Sequence, residues 1–318
     1  MLLWAAPVSA QINVEQGGEP FATVVTSGAQ FPYVYPLYGP GGVRMTRGFP
    51  MEHFAGEAKD HPHHRSMWFT HGNVNGVDFW HAGGEHSGRI LTQAQSLDVR
   101  GEARIVSLSL RWVTDEQVRL IDEERTYTFT GNKLDRSIDV DIRLRAATDV
   151  VFGDTKEGSF ALRLHPALRL DGEIAAGSAQ NSNGDKGGGI WGKRARWVHY
   201  SGPIDGKPVG VTIYDHPKNL RHPTWWHART YGLFAANPFG QHDFERKPAG
   251  TGDLKLARGE TLRLRYRVVL HAGRRTRAQL DAGFVGFAPS PPSPLTHAIG
   301  VAVSHSLGVL LRALPRED

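Results

Sequence analysis

The hexapeptide Asp60-His61-Pro62-His63-His64-Arg65 is followed closely by Trp68-Phe69-Thr70-His71-Gly72 and Gly76-Val77-Asp78-Phe79-Trp80-His81. Seven of the 16 histidines of the chain fall between residues 53 and 86. Imidazole is the side chain best suited to hold a metal or move a proton near neutral pH. Any one of these histidines taken alone is more often an ordinary surface or core ring; the cluster, set among glycines and tryptophans, favours chemistry. If the run is extended, side-chain alternation puts His61 and His63 on one face and His64 on the other, and the H-x-H pair can chelate one divalent metal. A third ligand is then required, for which His71, Glu57, Asp78 or a residue of the second half are the candidates. Pro50 and Pro62 allow a bent loop instead, in which His61 and His64 converge.

A second constellation lies far downstream. Tyr214-Asp215-His216-Pro217-Lys218-Asn219-Leu220-Arg221-His222-Pro223-Thr224-Trp225-Trp226-His227-Ala228-Arg229 repeats the theme of His, Pro, Arg and Trp, and leads to Ala235-Ala236-Asn237-Pro238-Phe239-Gly240. Aromatic rings beside amides, guanidiniums and imidazoles suit a sugar, which presents an apolar C–H face and a rim of hydroxyls. Buried core tryptophan is the bland alternative, and for Trp68, Trp80 and Trp225 singly it is the better reading. Between the two constellations, Gly153-Asp154-Thr155-Lys156-Glu157-Gly158 places Glu157 in a glycine-flanked loop before a strand, a suitable position for a general base.

These residues give a set of expected roles. His61, His63, His64, Glu157 and His227 are the catalytic candidates, with His61 and His63 also the candidate metal pair. Arg65, His71, Asp78, Trp80, Arg163, Asn181, Arg194, His216, Arg221, Trp226, Arg229 and Asn237 are the candidates for binding substrate. The two histidine-rich segments are expected to meet, with His216, Arg221 and His227 opposite His61, His63 and His64, and with Arg65 and Arg229 near enough to keep the imidazoles neutral.

The elements that must position them read as strands. Apolar alternation or β-rich composition recurs over residues 21–25, 33–38, 66–70, 89–99, 104–113, 119–130 and 134–144, and again over 160–164, 197–200, 209–214 and 262–270. The alternation is strict in Ser137-Ile138-Asp139-Val140-Asp141-Ile142-Arg143-Leu144, so one face is buried and the other wet. With 37 glycines and 19 prolines supplying turns, the expectation is an all-β fold, a large antiparallel β-sandwich of more than ten strands, with one short C-terminal helix over residues 274–285. Residues 12–286 form the single sandwich domain in this reading. Residues 1–11 resemble the end of a signal peptide cut after Ala10, which predicts export to the periplasm or beyond. Residues 287–318 read as a Pro-rich linker and a detached tail.

Several classes are excluded. The net charge of +5 is carried by basic residues interleaved with acidic ones, so no basic stripe tracks nucleic-acid phosphates. No apolar run reaches the ~20 residues of a membrane-spanning helix. There is no cysteine, hence no disulfide or thiolate chemistry. Gly187-Gly188-Gly189 lacks the Lys-Ser/Thr of a phosphate loop, and no G-x-S-x-G elbow is present.

Taken together, Asp60-His61-Pro62-His63-His64-Arg65, His71-Gly72-Asn73-Val74-Asn75-Gly76-Val77-Asp78-Phe79-Trp80, Gly153-Asp154-Thr155-Lys156-Glu157-Gly158, Trp191-Gly192-Lys193-Arg194 and Ala235-Ala236-Asn237-Pro238-Phe239-Gly240 resemble the motifs of a bacterial family of soluble proteins labelled PmoA, across residues 20–286. The label implies a methane oxygenase subunit with a redox metal, and such a membrane subunit needs several apolar spans that this chain lacks. The resemblance also implies a galactose-mutarotase-like supersandwich, in which His and a carboxylate face a sugar in an open groove. The leading expectation is therefore an exported enzyme acting on a sugar or glycoside by His/Glu acid–base chemistry, with or without one divalent metal, as lyase, hydrolase or epimerase. A carbohydrate-binding protein without catalysis, stacking sugars on Trp226, is the alternative from another class.

Overall fold

The computed structural model describes residues 10–81, 83–84 and 86–288. In chain order the strands are β1 (Gln11–Gln16), β2 (Glu19–Val25), β3 (Tyr33–Leu37), β4 (Met67–His71), β5 (Arg89–Arg100), β6 (Ala103–Val113), β7 (Arg119–Gly131), β8 (Asp135–Ala146), β9 (Val150–Phe152), β10 (Gly158–Arg163), β11 (Ser178–Asn181), β12 (Trp197–Ile204), β13 (Lys207–Asp215), β14 (Trp225–Ala228), β15 (Leu233–Asn237), β16 (Leu254–Leu256) and β17 (Thr261–Ala272). Helix α1 (Gln241–Glu245) falls between β15 and β16, and α2 (Arg277–Phe287) follows β17. A seven-stranded sheet runs β1-β2-β3-β4-β10-β15-β14 and an eight-stranded sheet runs β11-β12-β13-β17-β8-β7-β6-β5, with β16-β9 as a separate ribbon. The strands of each sheet pair antiparallel, so the expected all-β sandwich with a C-terminal helix is the fold.

The inner faces interdigitate through aromatic pairs that join the two large sheets. Phe21 meets Phe129 edge-on at 5.2 Å, Phe69 meets Trp112 at 5.9 Å, and Phe160 stacks on Tyr266 at 4.8 Å. In β8 every second side chain is buried, as the alternation requires. The centre of the seven-stranded sheet differs: β4, β10, β14 and β15 are buried at every position, so loops cover the face turned away from the eight-stranded sheet. Covered on both faces, these strands lose the period-two signature; β14 and β15 were not among the expected strands, and Trp226 and Asn237, expected to bind substrate, lie in them as buried residues.

Helix α2 starts three residues later than expected. The Thr276 hydroxyl caps the Gln279 amide and the Gln279 side chain returns a bond to the Thr276 amide, so the capping box sets the boundary. Leu280 and Phe284 then pack on Trp197 and Tyr214 of the eight-stranded sheet. Helix α1 was not foreseen, being too short to show periodicity. The expected leader lies outside the described residues up to residue 9, and Gln11 already belongs to β1. The expected tail lies outside them from residue 289 onward.

Candidate active site

Strand register places the first element of the site. Trp68 of β4 pairs with Ala161 of β10, Ala161 with Ala235 of β15, and Ala235 with His227 of β14, so the four side chains form one row across the seven-stranded sheet. This row is on the covered outer face, because its neighbours Phe69 and Phe160 point to the eight-stranded sheet. Two alanines between an indole and an imidazole keep the middle of the row low, and His64 stacks on Trp68 at 5.3 Å. Above the row, His61, His63, His64, His81, Lys156, Glu157, His227, Arg229 and Tyr231 line a cavity of about 300 Å³. All five expected catalytic residues face this one space.

The loop carrying His61, His63 and His64 is bent. His61 adopts a positive φ of 45° and its carbonyl accepts the His64 amide at 3.0 Å, a tight turn that stacks the His61 and His64 rings at 4.8 Å. The extended geometry, with His64 on the opposite face, is thereby ruled out. Asp60 fixes the loop from below. Its carboxylate accepts Arg47 at 2.6 Å, Arg163 at 2.8 and 3.0 Å, and bonds His61 Nδ1 at 2.7 Å. Burial would raise this carboxyl, yet the Arg163 and Arg47 guanidiniums and the His61 bond outweigh it and hold it well below the usual carboxylate range. Arg163 also donates to His64 Nδ1 at 3.0 Å, which makes that nitrogen an acceptor and puts the ring proton on Nε2. Burial first, then the neighbouring His63 and the Arg163 charge, keep His64 neutral.

His227 is 3% exposed, and its Nδ1 donates to the Lys156 carbonyl at 2.9 Å. Nε2 is then the nitrogen with the lone pair. Burial lowers His227 to about 4, against the opposing pull of Glu157. His63 is lowered to about 3 by burial and by the charges of His81 and His61, and its Nε2 is buried without a partner. His81 behaves in the opposite way. Its Nδ1 bonds Asp78 at 2.8 Å, and that bond raises it above the ordinary imidazole value despite partial burial. Asp78 is itself steadied by the amides of Trp80 and His81. One cavity thus holds imidazoles lowered by burial and one raised by a carboxylate.

The loop bearing Lys156 and Glu157 is clamped from several sides. Gly72 N donates to the Glu157 carbonyl at 2.7 Å, His71 Nε2 donates to the Gly153 carbonyl at 2.8 Å, Asn237 Nδ2 to the Thr155 carbonyl at 2.9 Å, and the Asp243 carboxylate accepts the Lys156 amide at 2.7 Å. Lys156 Nζ lies 2.8 Å from Glu157 Oε1. Arg221 ties the neighbouring segment through the Pro238 and Gly252 carbonyls.

Many residues expected to bind substrate therefore stand elsewhere. His71 and Asn237 are fully buried and, with Arg221, hold loops; Arg163 and Asp78 orient His64 and His81 from outside the cavity wall. Trp80 is fully buried behind His63 and His64. Trp226 is fully buried with Nε1 on the Ala195 carbonyl, so it offers no stacking surface. Arg65 lies over Tyr33, Asn181 bonds Asp185 in β11 and its following turn, and Arg194 bonds the Pro223 and Arg221 carbonyls. His216 bonds the Lys218 amide and meets Phe287 on the other sheet, outside the shared site it was expected to join. Arg229 does reach the cavity. His81, Lys156 and Tyr231 were not singled out; the spacing Asp78-x-x-His81 was a readable signal, whereas Tyr231 carries none locally.

A metal fits less well. Glu57, a candidate third ligand, is taken up by Arg44 and by the amides of Gly48 and Phe49, and His71 is core. Among the described residues, no group of three His, Cys, Asp or Glu side chains is arranged to hold a metal ion. No described helix is long and apolar enough to cross a membrane.

Among solved structures, the chain is similar to a heparan sulfate lyase HepC mutant from Pedobacter heparinus, at 8% identity and a TM-score of 0.42, over 85% of this chain and 36% of the lyase. It is similar to a galactose 1-epimerase from Lactobacillus acidophilus NCFM at 8% identity and 0.38, over 83% of this chain and 98% of the other. A galactose mutarotase related enzyme from Lactobacillus acidophilus gives 10% identity and 0.35, over 82% and 97%. The chain spans about a third of the lyase's length, and at these scores the likeness carries no argument about chemistry. Curated proteins give no match. The methane-oxygenase label expected from the motifs is not the description of the matching family. A family model described as "Family of unknown function (DUF6807)" matches residues 11–284, and the chain belongs to that family.

Proposed function

We propose that the chain is a carbohydrate-active enzyme that works by proton transfer between His227 and the His81–Asp78 pair across the cavity. The observation that carries this reading is a pair of imidazoles on one cavity pushed in opposite directions, His227 down by burial and His81 up by Asp78. His227 Nε2 holds a lone pair because Nδ1 is committed to the Lys156 carbonyl, and the Asp78 carboxylate bonded to His81 Nδ1 favours the protonated form of that ring. A base and an acid facing one cavity are what exchange of protons at a sugar hydroxyl, ring oxygen or glycosidic oxygen requires. In this scheme His227 takes a proton from the substrate, His81 gives one through Nε2, and water returns both rings to their starting states. His61, His63, His64 and the Glu157–Lys156 pair supply donors and acceptors for the remaining hydroxyls. A volume of about 300 Å³ suits a ligand of one sugar ring.

The binding-protein alternative loses its platform. Trp68, Trp80 and Trp226 are fully buried, leaving Tyr231, itself stacked on His61 at 5.2 Å, as the aromatic in the cavity.

The test is turnover of a panel of reducing sugars and glycosides by the purified chain, followed by NMR for anomer exchange, epimerisation or cleavage. His227→Gln and His81→Asn are each expected to remove most of the activity, and the double variant to lose little more. Additive losses would mean independent roles and would sink the paired acid–base scheme.

A further inference from the structure

The charges around this cavity do not cancel among themselves, and the residual sign says what the ligand carries. On the cavity wall Glu157 is matched by Lys156, and behind the wall Asp78 is bonded to His81 while the Asp60 carboxylate is shared by Arg47 and Arg163. Arg229 adds a further cation on the cavity wall. Among the described residues it has no carboxylate partner. Its guanidinium is held instead by rings, 5.9 Å from the Trp191 centroid and 5.7 Å from that of Tyr231, so it is positioned while its hydrogen-bond donors stay uncommitted. A cation with free donors on a cavity wall attracts an anion, and the planar fork of arginine is the side chain best matched to a carboxylate or sulfate. Arg229 follows His227 by two residues, just past the end of β14, and both line the cavity, which places the anion near the base.

We propose that the ligand is a sugar bearing a fixed negative charge, a carboxylate or a sulfate ester, bound by Arg229. This rests on the carbohydrate reading above and narrows its substrate class. It also gives His227 a function-dependent environment: an anion seated on Arg229 screens the cation that disfavours a protonated ring, so the base gains strength when substrate is bound.

The experiment is isothermal titration calorimetry of the full chain with three matched oligosaccharides, one carrying glucuronic acid, one carrying sulfate without a carboxylate, and one neutral. At least one anionic sugar is expected to bind ten times or more tighter than the neutral one. Arg229→Ala is expected to abolish that preference, and Arg229→Lys to keep part of it; melting curves of both variants verify folding. The carboxylate and sulfate arms decide which anion is read. Equal binding of the neutral sugar, or a preference that survives Arg229→Ala, would overturn the proposal and leave the carbohydrate reading standing. No binding of any of the three would overturn both.

Discussion

Arg163, at the end of β10, donates one guanidinium nitrogen to His64 Nδ1 at 3.0 Å and the other to both oxygens of Asp60, joining a central strand to a loop 99 residues away in sequence. The arginine is 1% exposed, so the histidine loop is anchored inside the molecule although Asp60 itself is 37% exposed. Breaking a fully buried pair by removing one partner costs roughly 3–5 kcal/mol, and the exposure of Asp60 lowers that here to about 2–4 kcal/mol. Arg163→Met is expected to destabilise the chain by that amount in denaturant unfolding and to release the His64 tautomer, seen as a change in its ring nitrogen shifts. A loss below ~1 kcal/mol with unchanged His64 shifts would contradict an anchoring role.

The two functional imidazoles are expected to titrate far apart. His227, lowered by burial to about 4, stays neutral through the physiological range, and His81, raised by its bond to Asp78, keeps its proton above the ordinary imidazole value. NMR titration of the ring carbons reads both without a substrate. Asp78→Asn removes the largest raising influence and is expected to bring the His81 midpoint down while leaving His227 in place. If the His81 midpoint does not move, Asp78 is not what holds its proton.

Period-two patterning made the eight-stranded sheet legible, since β6, β7, β8 and β17 each have one wet face. It failed for β14 and β15, buried on both faces, where Trp226 and His227 looked like a polar binding segment. The histidine cluster was legible from density alone, because burying so many imidazoles in one short stretch needs a reason. What could not be read was which polar residues reach the cavity and which hold its walls. His71, Arg163, Arg221 and Asn237 have the chemistry of ligand binders, yet they spend it on backbone carbonyls and on neighbouring side chains. That division depends on loop closure between segments some 80 residues apart, such as His71 on Gly153, and leaves no trace in local spacing.

Burial of neutral imidazoles also sets a pH limit on the fold. His63 and His199 are lowered to about 3 and His71 and His227 to about 4, each chiefly by burial, while in the unfolded chain they titrate near 6.5. Between pH 6.5 and 4 the unfolded chain binds more protons than the folded one, so stability rises with pH there and falls on acidification. Each such group contributes on the order of 1 kcal/mol per pH unit. His81, raised in the fold, acts in the opposite sense but is 47% exposed and adds little. Melting temperature is expected to drop steeply from pH 6.5 to 4; a flat profile would mean these rings are accessible to protons in the folded state.

Gly72 offers a way to disturb Glu157 without touching its side chain. A Cβ at position 72 would lie 2.8 Å from Glu157 Cβ and 2.9 Å from the Glu157 carbonyl oxygen, and the second of these is the acceptor of the Gly72 amide. Backbone cannot yield there as a flexible side chain would, because the same loop is fixed by Asn237, Asp243 and His71. Gly72→Ala is therefore expected to cost about 1–3 kcal/mol, the usual range for overpacking, and to shift Lys156 and Glu157 together. The shift also moves the Lys156 carbonyl that holds His227 Nδ1, so the His227 midpoint should change in the same variant. Gly189→Ala is the control, since a Cβ there meets nothing within 4 Å. Should Gly72→Ala lower the melting temperature yet leave the His227 titration and turnover as in the parent, the clamp on this loop would be structural only, and the positioning of His227 would have to come from β14 alone.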